Sequence, residues 1–391
     1  MPATPARPTR IGSWWRRETP EHRLYRAAAF LLLLLLSGVL VRDIGPPRLS
    51  LEEVAFDSLT GWRHDRVAAA VLPFLKSCAR FLGRPDGAQF DPRPSRVDYG
   101  WVGDWRAPCQ AALRLPIGDD DAARRFFETH FVPFAVADYG AVRGLFTGYF
   151  AVELDGSRHR HGVYQTPLYR RPPGDLAMRY TRAQIEEGAL KGRGLALVWV
   201  ADPIAAFFLQ VQGSGVVKLD DGKTMRVGYA GQNGKPYVPI GRILLERKVI
   251  PRDKLTMQAL RDWMREHPKE GAALRRGDPS YVYFREIKGD GPIGAEGIAL
   301  TARRSLAVDR RYIPLGVPIW LDAHERFGTR SPLRQLLITQ DTGGAIRGPV
   351  RGDLFWGTGA EAGTEAGATN AYGHYFVLLP RAVALRLAAT S

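Results

Sequence analysis

The sequence predicts a mainly β protein with peripheral helices, and three observations support this class. Glycine (42) and proline (28) are abundant among the 391 residues, which is typical of a fold with many tight turns. Long helical periodicity is scarce after residue 140, where apolar residues come in short runs between turn residues instead. The hydrophobic fraction of 45% excludes general disorder, and the length is enough for two domains with their own cores.

Helical patterns are concentrated in the first third of the chain. Apolar residues recur near helical spacing up to residue 82, although Pro73 interrupts them. Asp119, Asp120 and Asp121 would complement the positive end of the following helix dipole, and Thr181 is the expected N-cap of a later helix. The predicted helices are residues 65–82, 109–115, 119–130, 181–190, 240–248 and 253–267.

Strands are predicted where short apolar or alternating runs lie between glycines, prolines and other turn residues. A hairpin turn is expected over residues 220–223 and a sharply bending glycine-rich loop over residues 228–234. The predicted strands lie within residues 142–154, 163–169, 196–200, 207–212, 215–218, 225–229, 281–285, 309–321, 336–338 and 375–379.

The N-terminal region reads as a targeting segment. Residues 27–41 are uncharged and include six consecutive leucines, six arginines precede them, and Arg42 and Asp43 end the run. This arrangement is typical of an export signal or a short signal-anchor. The run is shorter than the roughly 20 residues of a relaxed membrane span. No Ala-x-Ala cleavage site and no lipid-accepting cysteine follow it, which favours a retained anchor over a cleaved signal.

The net charge indicates which kind of partner the protein binds, and the cysteine content bears on its cellular compartment. The formal net charge of +15 suggests an anionic partner, either a membrane surface or an acidic polymer. The arginines are scattered and form no recognition helix, so we expect no nucleic-acid binding. Cys78 and Cys109 are the only cysteines, and in an exported chain they could form a disulfide. Two buried free thiols are the alternative.

The densest chemistry lies in residues 336–357. The apolar run 336–338 lies just before Asp341, which is followed by a Gly-Gly turn. Asp353 precedes Phe355 and Trp356. Aromatic faces beside an acid offer a sugar a stacking platform and a proton donor. With Asp309, at the start of another turn, these acids would perturb one another's pKa if they met in one cleft, and one could act as a general acid. Alternatively, each caps its own turn, and Asp309 pairs with a following arginine.

A second polar group lies in residues 207–215, where a strand would place Gln210, Gln212 and Ser214 on one face. Such a row could bond sugar hydroxyl or acetamido groups, although a solvated polar face is an equal alternative. Ser214 lacks the spacing of a nucleophile elbow, and the glycine-rich turns match no phosphate loop or dinucleotide fingerprint. The histidines have no metal-ligand spacing. We therefore expect neither a cofactor nor a metal.

Six motifs taken together resemble the membrane-bound lytic murein transglycosylase A family. They are residues 146–149, 164–169, 208–215, 309–316, 340–348 and 352–357. The resemblance implies a double-psi β-barrel with an inserted second β-barrel and a glycan-binding cleft between them. It also implies non-hydrolytic cleavage of the β-1,4 bond between N-acetylmuramic acid and N-acetylglucosamine in peptidoglycan, leaving a 1,6-anhydromuramoyl end. Members are often lipoproteins, and this chain departs from them in lacking the lipidated cysteine.

By matching position, the resemblance implies that Asp353 is the single catalytic acid and base. Asp341 and Asp309 are then expected to orient Asp353 or the sugar. The residues expected to bind substrate are Thr147, Tyr149, Gln165, Gln210, Gln212, Ser214, Phe355 and Trp356.

The expected organisation has four parts. Residues 1–46 form a cytoplasmic basic segment, signal-anchor and linker; 47–150 form the helical part of the catalytic domain; 151–280 form the inserted glycan-binding barrel; and 281–391 form the double-psi region with the three aspartates. The enzyme is expected at the periplasmic face of a bacterial membrane, either tethered or released after signal cleavage, with cell-wall synthesis proteins as possible partners.

Two other functions fit the same residues. An inverting peptidoglycan hydrolase would use Asp341 as the base that activates water, with Asp353 as the acid. A non-catalytic wall-binding protein would hold glycan and release no soluble fragments.

Overall fold

A computed structural model describes residues 49–93, 97–251, 254–289, 291–325 and 331–390. The predicted signal-anchor lies outside these ranges. Within them, no helix combines the length and apolarity needed to cross a membrane. The strands are β1 Leu49–Glu53, β2 Phe131–Asp138, β3 Gly144–Ser157, β4 Thr166–Tyr169, β5 Ala196–Val200, β6 Ser214–Leu219, β7 Thr224–Gln232, β8 Val282–Ile287, β9 Ser305–Val308, β10 Pro318–Glu325, β11 Leu333–Asp341, β12 Arg351–Thr358 and β13 Asn370–Pro380.

Helices surround this β framework. They are α1 Val71–Phe81, α2 Val102–Ala112, α3 Asp120–His130, α4 Leu176–Arg179, α5 Arg182–Glu186, α6 Pro203–Gln212, α7 Ile240–Glu246, α8 Met257–Glu266, α9 Pro268–Arg276, α10 Gly359–Ala368 and α11 Arg381–Thr390. Helix α3 begins where its sequence predicts, because the Asp119 side chain accepts a hydrogen bond from the Ala122 amide at 2.8 Å. A disulfide joins Cys78 of α1 to Cys109 of α2.

Six strands pair in a closed ring. Starting from β13, the order is β10, β11, β9, β12 and β3, and β3 then pairs with β13 again. The β11–β9 and β12–β3 pairs are parallel, and the other four are antiparallel. Strands β2 and β1 extend the sheet beyond β13. The ring closes over a large core that includes Trp320, Leu337 and Tyr375 and continues under α1 to α3.

A second sheet contains the central region of the chain, in the order β4, β5, β3, β6, β7 and β8. Its own core includes Val198, Val217 and Phe284. Strand β3 belongs to both sheets, because residues 145–151 pair with β12 and residues 152–156 pair with β6. The mainly β class with peripheral helices is therefore confirmed.

The strand predicted over residues 207–212 is wrong, because these residues form the second half of helix α6. The Asp202 side chain caps the amides of Ile204 and Ala205 at 2.7 and 3.1 Å, and Pro203 fits the first turn. Gly213 ends the helix at a φ of 82°, which favours glycine. The apolar run between these two signals fits a buried helix as well as a strand.

Candidate active site

Asp353 is held by two side chains that the β12–β3 pairing brings together. Register places Asp353 opposite Thr147, whose Oγ1 donates a hydrogen bond to Asp353 Oδ1. Arg351 lies two residues before Asp353, on the same face of β12. Its Nη1 donates to the same Oδ1, and its Nη2 donates to Thr147 Oγ1 at 2.9 Å. Thr147, Arg351 and Asp353 therefore form a closed triangle of hydrogen bonds.

The second carboxylate oxygen of Asp353, Oδ2, is not held by the triangle. No hydrogen bond from any described residue reaches Asp353 Oδ2, and the side chain is 19% exposed. A carboxylate with one oxygen fixed and the other open can exchange a proton with a bound molecule without losing its orientation.

Asp341 lies at the end of β11 and is bonded at both oxygens. Oδ2 accepts from the Tyr149 hydroxyl at 2.8 Å, and Oδ1 accepts from the amides of Ala295 and Thr342, each at 2.9 Å. Burial raises the pKa of Asp341, the three hydrogen bonds lower it, and the nearby charge of Asp353 raises it; the net direction is upward. The two carboxylates therefore interact electrostatically, which is the coupling expected of acids in one site.

The Tyr149 hydroxyl donates to Asp341, and its pKa responds to the charges of both acids. Burial, followed by the charge of Asp341, raises the pKa of Tyr149 well above its ordinary value, and Asp353 adds to this shift. The hydroxyl therefore stays protonated and remains a hydrogen-bond donor to Asp341 near neutral pH.

Asp309 has a different set of partners. It is buried, and its oxygens accept from Arg311 Nε at 2.9 and 3.2 Å and from the Gly348 amide at 2.9 Å. Burial opposes its ionisation, but the hydrogen bonds from Arg311 and Gly348 outweigh it and lower the pKa of Asp309. Asp309 thus links the turn after β9 to the turn before β12, and the salt bridge to Arg311 is one of the arrangements that the sequence left open.

The two aromatic residues after Asp353 do not form the open platform expected from the sequence. Phe355 is only 2% exposed, and its ring centroid lies 5.2 Å from that of Tyr149. Trp356 is half-buried against both cores, with the Arg303 guanidinium carbon 4.9 Å from its ring centroid. Because Phe355 points into the protein, stacking of a sugar on it is corrected to a packing role.

The remaining predicted binding residues do not share one strand face. Gln212, at the end of α6, accepts a hydrogen bond from the Phe150 amide at 3.2 Å and so joins the helix to β3. Gln210 is buried, and its Oε1 has no hydrogen-bond partner among the described residues. Ser214 is buried at the start of β6. Gln165 is exposed and bonds Arg160 Nε at 2.7 Å and the Gly162 carbonyl at 2.9 Å.

Two functional candidates were missed by sequence reasoning. Arg351 could have been found, because residues two apart on a strand share a face with each other. Glu296 gave no signal: it accepts from Ser77 Oγ at 2.7 Å, and burial raises its pKa to about 7. Across the described ranges, no group of three or more His, Cys, Asp or Glu side chains is arranged to hold a metal ion.

The fold built from the six-stranded ring and the second sheet, which carries the two neighbouring acids Asp341 and Asp353, matches that of one class of known proteins, the lytic transglycosylases. Two family models match the chain: the MltA specific insert domain over residues 145–285, and the 3D domain over residues 304–379. Among solved structures, the lytic transglycosylase LtgG of Burkholderia pseudomallei is 43% identical, with 86% of this chain and 98% of that chain covered and a TM-score of 0.62. A membrane-bound lytic murein transglycosylase from Agrobacterium tumefaciens is 33% identical, with 86% and 99% covered and a TM-score of 0.72.

Curated relatives agree with these structures. The membrane-bound lytic murein transglycosylase A of Vibrio cholerae is 37% identical over 240 residues, which are 60% of this chain and 65% of that protein. The chain thus spans slightly less than two thirds of the length of this relative. Escherichia coli MltA with bound chitohexaose is 27% identical, with 86% and 95% covered and a TM-score of 0.66. The chain belongs to the membrane-bound lytic murein transglycosylase A family, and the resemblance inferred from its motifs is confirmed.

Proposed function

We propose that the protein is a lytic transglycosylase that cleaves the β-1,4 bond between N-acetylmuramic acid and N-acetylglucosamine in peptidoglycan and leaves a 1,6-anhydromuramoyl end. The observation that carries this proposal is the asymmetry of Asp353, whose Oδ1 is fixed by Thr147 and Arg351. Its Oδ2 is the open acid oxygen of the site as far as the described residues extend.

In the proposed reaction, Asp353 acts twice. Protonated at Oδ2, it first gives its proton to the glycosidic oxygen as the bond from that oxygen to C1 of the muramoyl residue breaks. The muramoyl 6-hydroxyl then attacks C1, and Asp353 takes up the hydroxyl proton. One C–O bond breaks, one forms, and the proton returns to the carboxylate, so no water is consumed.

Asp341 is better suited to orient the site than to activate water. Both of its oxygens already accept hydrogen bonds, from Tyr149 and from two backbone amides. A general base needs an oxygen directed at the nucleophile, which supports a single acid over the two-carboxylate mechanism of an inverting hydrolase. Asp309 would act further away, by joining the two turns that flank the acids.

The glycan would lie along the region where the ring meets the second sheet. The chitohexaose bound to E. coli MltA supports a glycan strand as ligand. We place Thr147, Tyr149 and the end of α6 beside the bound glycan. Gln210 and Gln212 lie at that end of α6, and Gln165 and Ser214 would contact the glycan further along the second sheet. We further propose that the six-stranded ring is a double-psi barrel and that the second sheet is the inserted glycan-binding domain.

Relatives are named membrane-bound. On this basis we propose that the enzyme works at the periplasmic face of a bacterial membrane, where its N-terminal segment serves as a signal-anchor or is cleaved after export. Cell-wall synthesis proteins are the expected partners there.

Digestion of purified sacculi followed by mass spectrometry tests the proposal. The wild-type protein should release muropeptides whose ends are one water lighter than ordinary reducing ends. The Asp353→Asn variant should remain folded and bind sacculi, yet lose about 10²–10⁴-fold in release rate, the usual contribution of a general acid–base. Reducing ends among the products would identify a hydrolase, and binding without release would identify a wall-binding protein.

A further inference from the structure

A cavity of about 250 Å³ lies next to the loop that contacts Asp341, and its lining is strongly basic. Four arginines line it, together with two acids: Arg80, Arg84, Arg93, Arg310, Asp91 and Glu296. Arg80, Arg84 and Arg93 precede both segments matched by the family models, which begin at residue 145. The basic walls are therefore built largely by the N-terminal helical part of the chain.

The cavity adjoins the candidate active site through one short loop. Ala295 lines the cavity, and its amide donates the 2.9 Å hydrogen bond to Asp341 Oδ1. Arg310 lies close enough for its pKa to respond to the charge of Asp341. A molecule that occupied this cavity would thus be in reach of a glycan bound at the acids.

The two acids of the cavity do not neutralise all four of its arginines. Asp91 is already bonded by Arg93 through two 2.9 Å hydrogen bonds. Glu296 accepts from Ser77, and with a pKa of about 7 it is only partly ionised near neutral pH. The walls therefore keep an excess of positive charge.

Arg310 is the least satisfied of these arginines. Its Nε is buried and has no hydrogen-bond partner among the described residues. Burial, followed by the charge of Arg93, lowers the pKa of Arg310. Like charges gathered in a concave, partly dehydrated site are unfavourable without an anion, and guanidinium groups match carboxylates in geometry. These features indicate an anion-binding site.

The proposed function limits which anion arrives with the substrate. The only acidic group of an N-acetylated glycan backbone is the lactyl carboxyl. In peptidoglycan this carboxyl forms an amide bond with a peptide, so the negative charges are the free carboxylates of that peptide. Resting on that proposed function, we propose that the arginine cavity binds a carboxylate of the peptide stem on the muramoyl residue next to the cleavage site. Arg310 would then be a specificity-determining residue rather than a catalytic one.

The test compares glycan strands of one length with and without their peptides. Arg310→Gln should reduce the preference for peptide-bearing strands, measured as a ratio of kcat/KM values, about tenfold, which corresponds to about 1.4 kcal/mol and lies at the lower end of what a hydrogen bond to a charged group contributes. Arg80→Gln, at another arginine that lines the cavity, should act in the same direction. The control is Arg242→Gln, an exposed arginine paired with Glu246, which removes the same charge elsewhere and should leave the ratio unchanged.

A binding arm separates failure of this inference from failure of the proposed function. Calorimetry on Asp353→Asn, with and without Arg310→Gln, should show tighter binding of peptide-bearing strands only where Arg310 is present. If the wild-type protein cleaves neither strand, the proposed function fails, and the binding arm still decides the role of the cavity. An equal affinity of Asp353→Asn for both kinds of glycan strand would overturn the assignment to a peptide carboxylate. The same holds if calorimetry shows that inorganic phosphate binds in an Arg310-dependent way and the peptide-bearing strands do not.

Discussion

The two halves of strand β3 follow one alternation of side chains but have different neighbours. Within Gly144–Ser157, the even-numbered residues Phe146 and Leu154 are buried in the apolar cores, one in each half of the strand. On the opposite face, the first half carries Thr147 and Tyr149, which bond Asp353 and Asp341. The second half carries exposed Glu153, which forms a surface salt bridge to Lys218.

This difference shows that the neighbouring strand decides the role of a residue on β3. Beside the first half, β12 carries Asp353, and Asp341 at the end of β11 accepts a hydrogen bond from Tyr149. Beside the second half, β6 supplies apolar residues and a surface lysine. Substitutions at equivalent positions in the two halves should therefore separate effects on activity from effects on the surface.

Apart from Asp353→Asn, the largest effect is expected from Arg351→Lys. A lysine cannot reproduce the fork that reaches both Asp353 and Thr147, and losing a hydrogen bond to a charged group costs about 1.5–3 kcal/mol, or roughly 10²-fold in turnover. Muropeptide release from sacculi measures it. Arg158→Lys is the matched control, because Arg158 forms an exposed ion pair with Glu286, at 3.6 Å. Equal losses in both variants would show that the effect of Arg351→Lys does not come from its contacts with Asp353 and Thr147.

The next effect concerns the pH dependence of stability. Burial raises the pKa of Glu296 from 4.5 to about 7, so its ionisation is resisted only in the folded state. Glu296 ionises more readily in the unfolded chain, so it lowers the free energy of unfolding progressively as pH rises from about 4.5 to 7. Above pH 7 this destabilisation is constant. Glu296→Gln should remove this cost, with a gain of about 2–3 kcal/mol at pH 8 and almost none at pH 4.

Urea denaturation at pH 4, 6 and 8 measures this gain. Glu153→Gln, on the exposed face of the second half, serves as the control and should show no comparable trend. A gain for Glu296→Gln that did not change with pH would mean that packing, rather than ionisation, is responsible.

Thr147→Val should have a smaller effect. Valine keeps the shape but removes the hydroxyl that joins Arg351 to Asp353, which should slow release about tenfold, since a net hydrogen bond is worth about 1 kcal/mol or slightly more. Thr147→Ser restores the hydroxyl and most of the rate. Because the three residues act as one network, Thr147→Val and Arg351→Lys should combine less than additively. Full additivity would argue against the triangle.

The smallest effect is expected at Glu153. Its salt bridge to Lys218 lies in solvent, where such pairs contribute little, so Glu153→Gln should leave thermal stability and turnover at wild-type values. Thermal denaturation and sacculus digestion check both. A fall in turnover similar to that of Thr147→Val would show that the glycan also contacts the exposed face of the second half.

Much of the framework could be predicted because its signals are local. The apolar run before Asp341 forms the buried end of β11, and the acids at residues 119–121 mark the start of α3. The error at residues 207–212 also had a local remedy. Asp202, Pro203 and Gly213 are the ordinary start and stop signals of a helix, and they outweigh the alternation of Gln210 and Gln212.

The site itself depends on contacts that no local pattern contains. Tyr149 and Asp341 are separated by 192 residues, and Thr147 and Asp353 by 206. The motifs identified these residues, but only the closure of the ring shows which oxygens are bonded and which is open. The burial of Phe355 was equally hidden: it shares a strand face with Asp353, but only the folded structure shows that it packs against Tyr149 and Leu300.

The bond between Cys78 and Cys109 bears on how active material can be prepared. It closes a separation of 31 residues between α1 and α2, and the residue before Cys78 is Ser77, whose hydroxyl contacts Glu296 and Gln340. Cytosolic reductants keep such thiols apart, whereas an exported chain oxidises them. Expression host and thiol reagents therefore become experimental variables. Protein purified from a reducing cytoplasm would lack the disulfide that joins α1, the helix that carries Ser77, to α2.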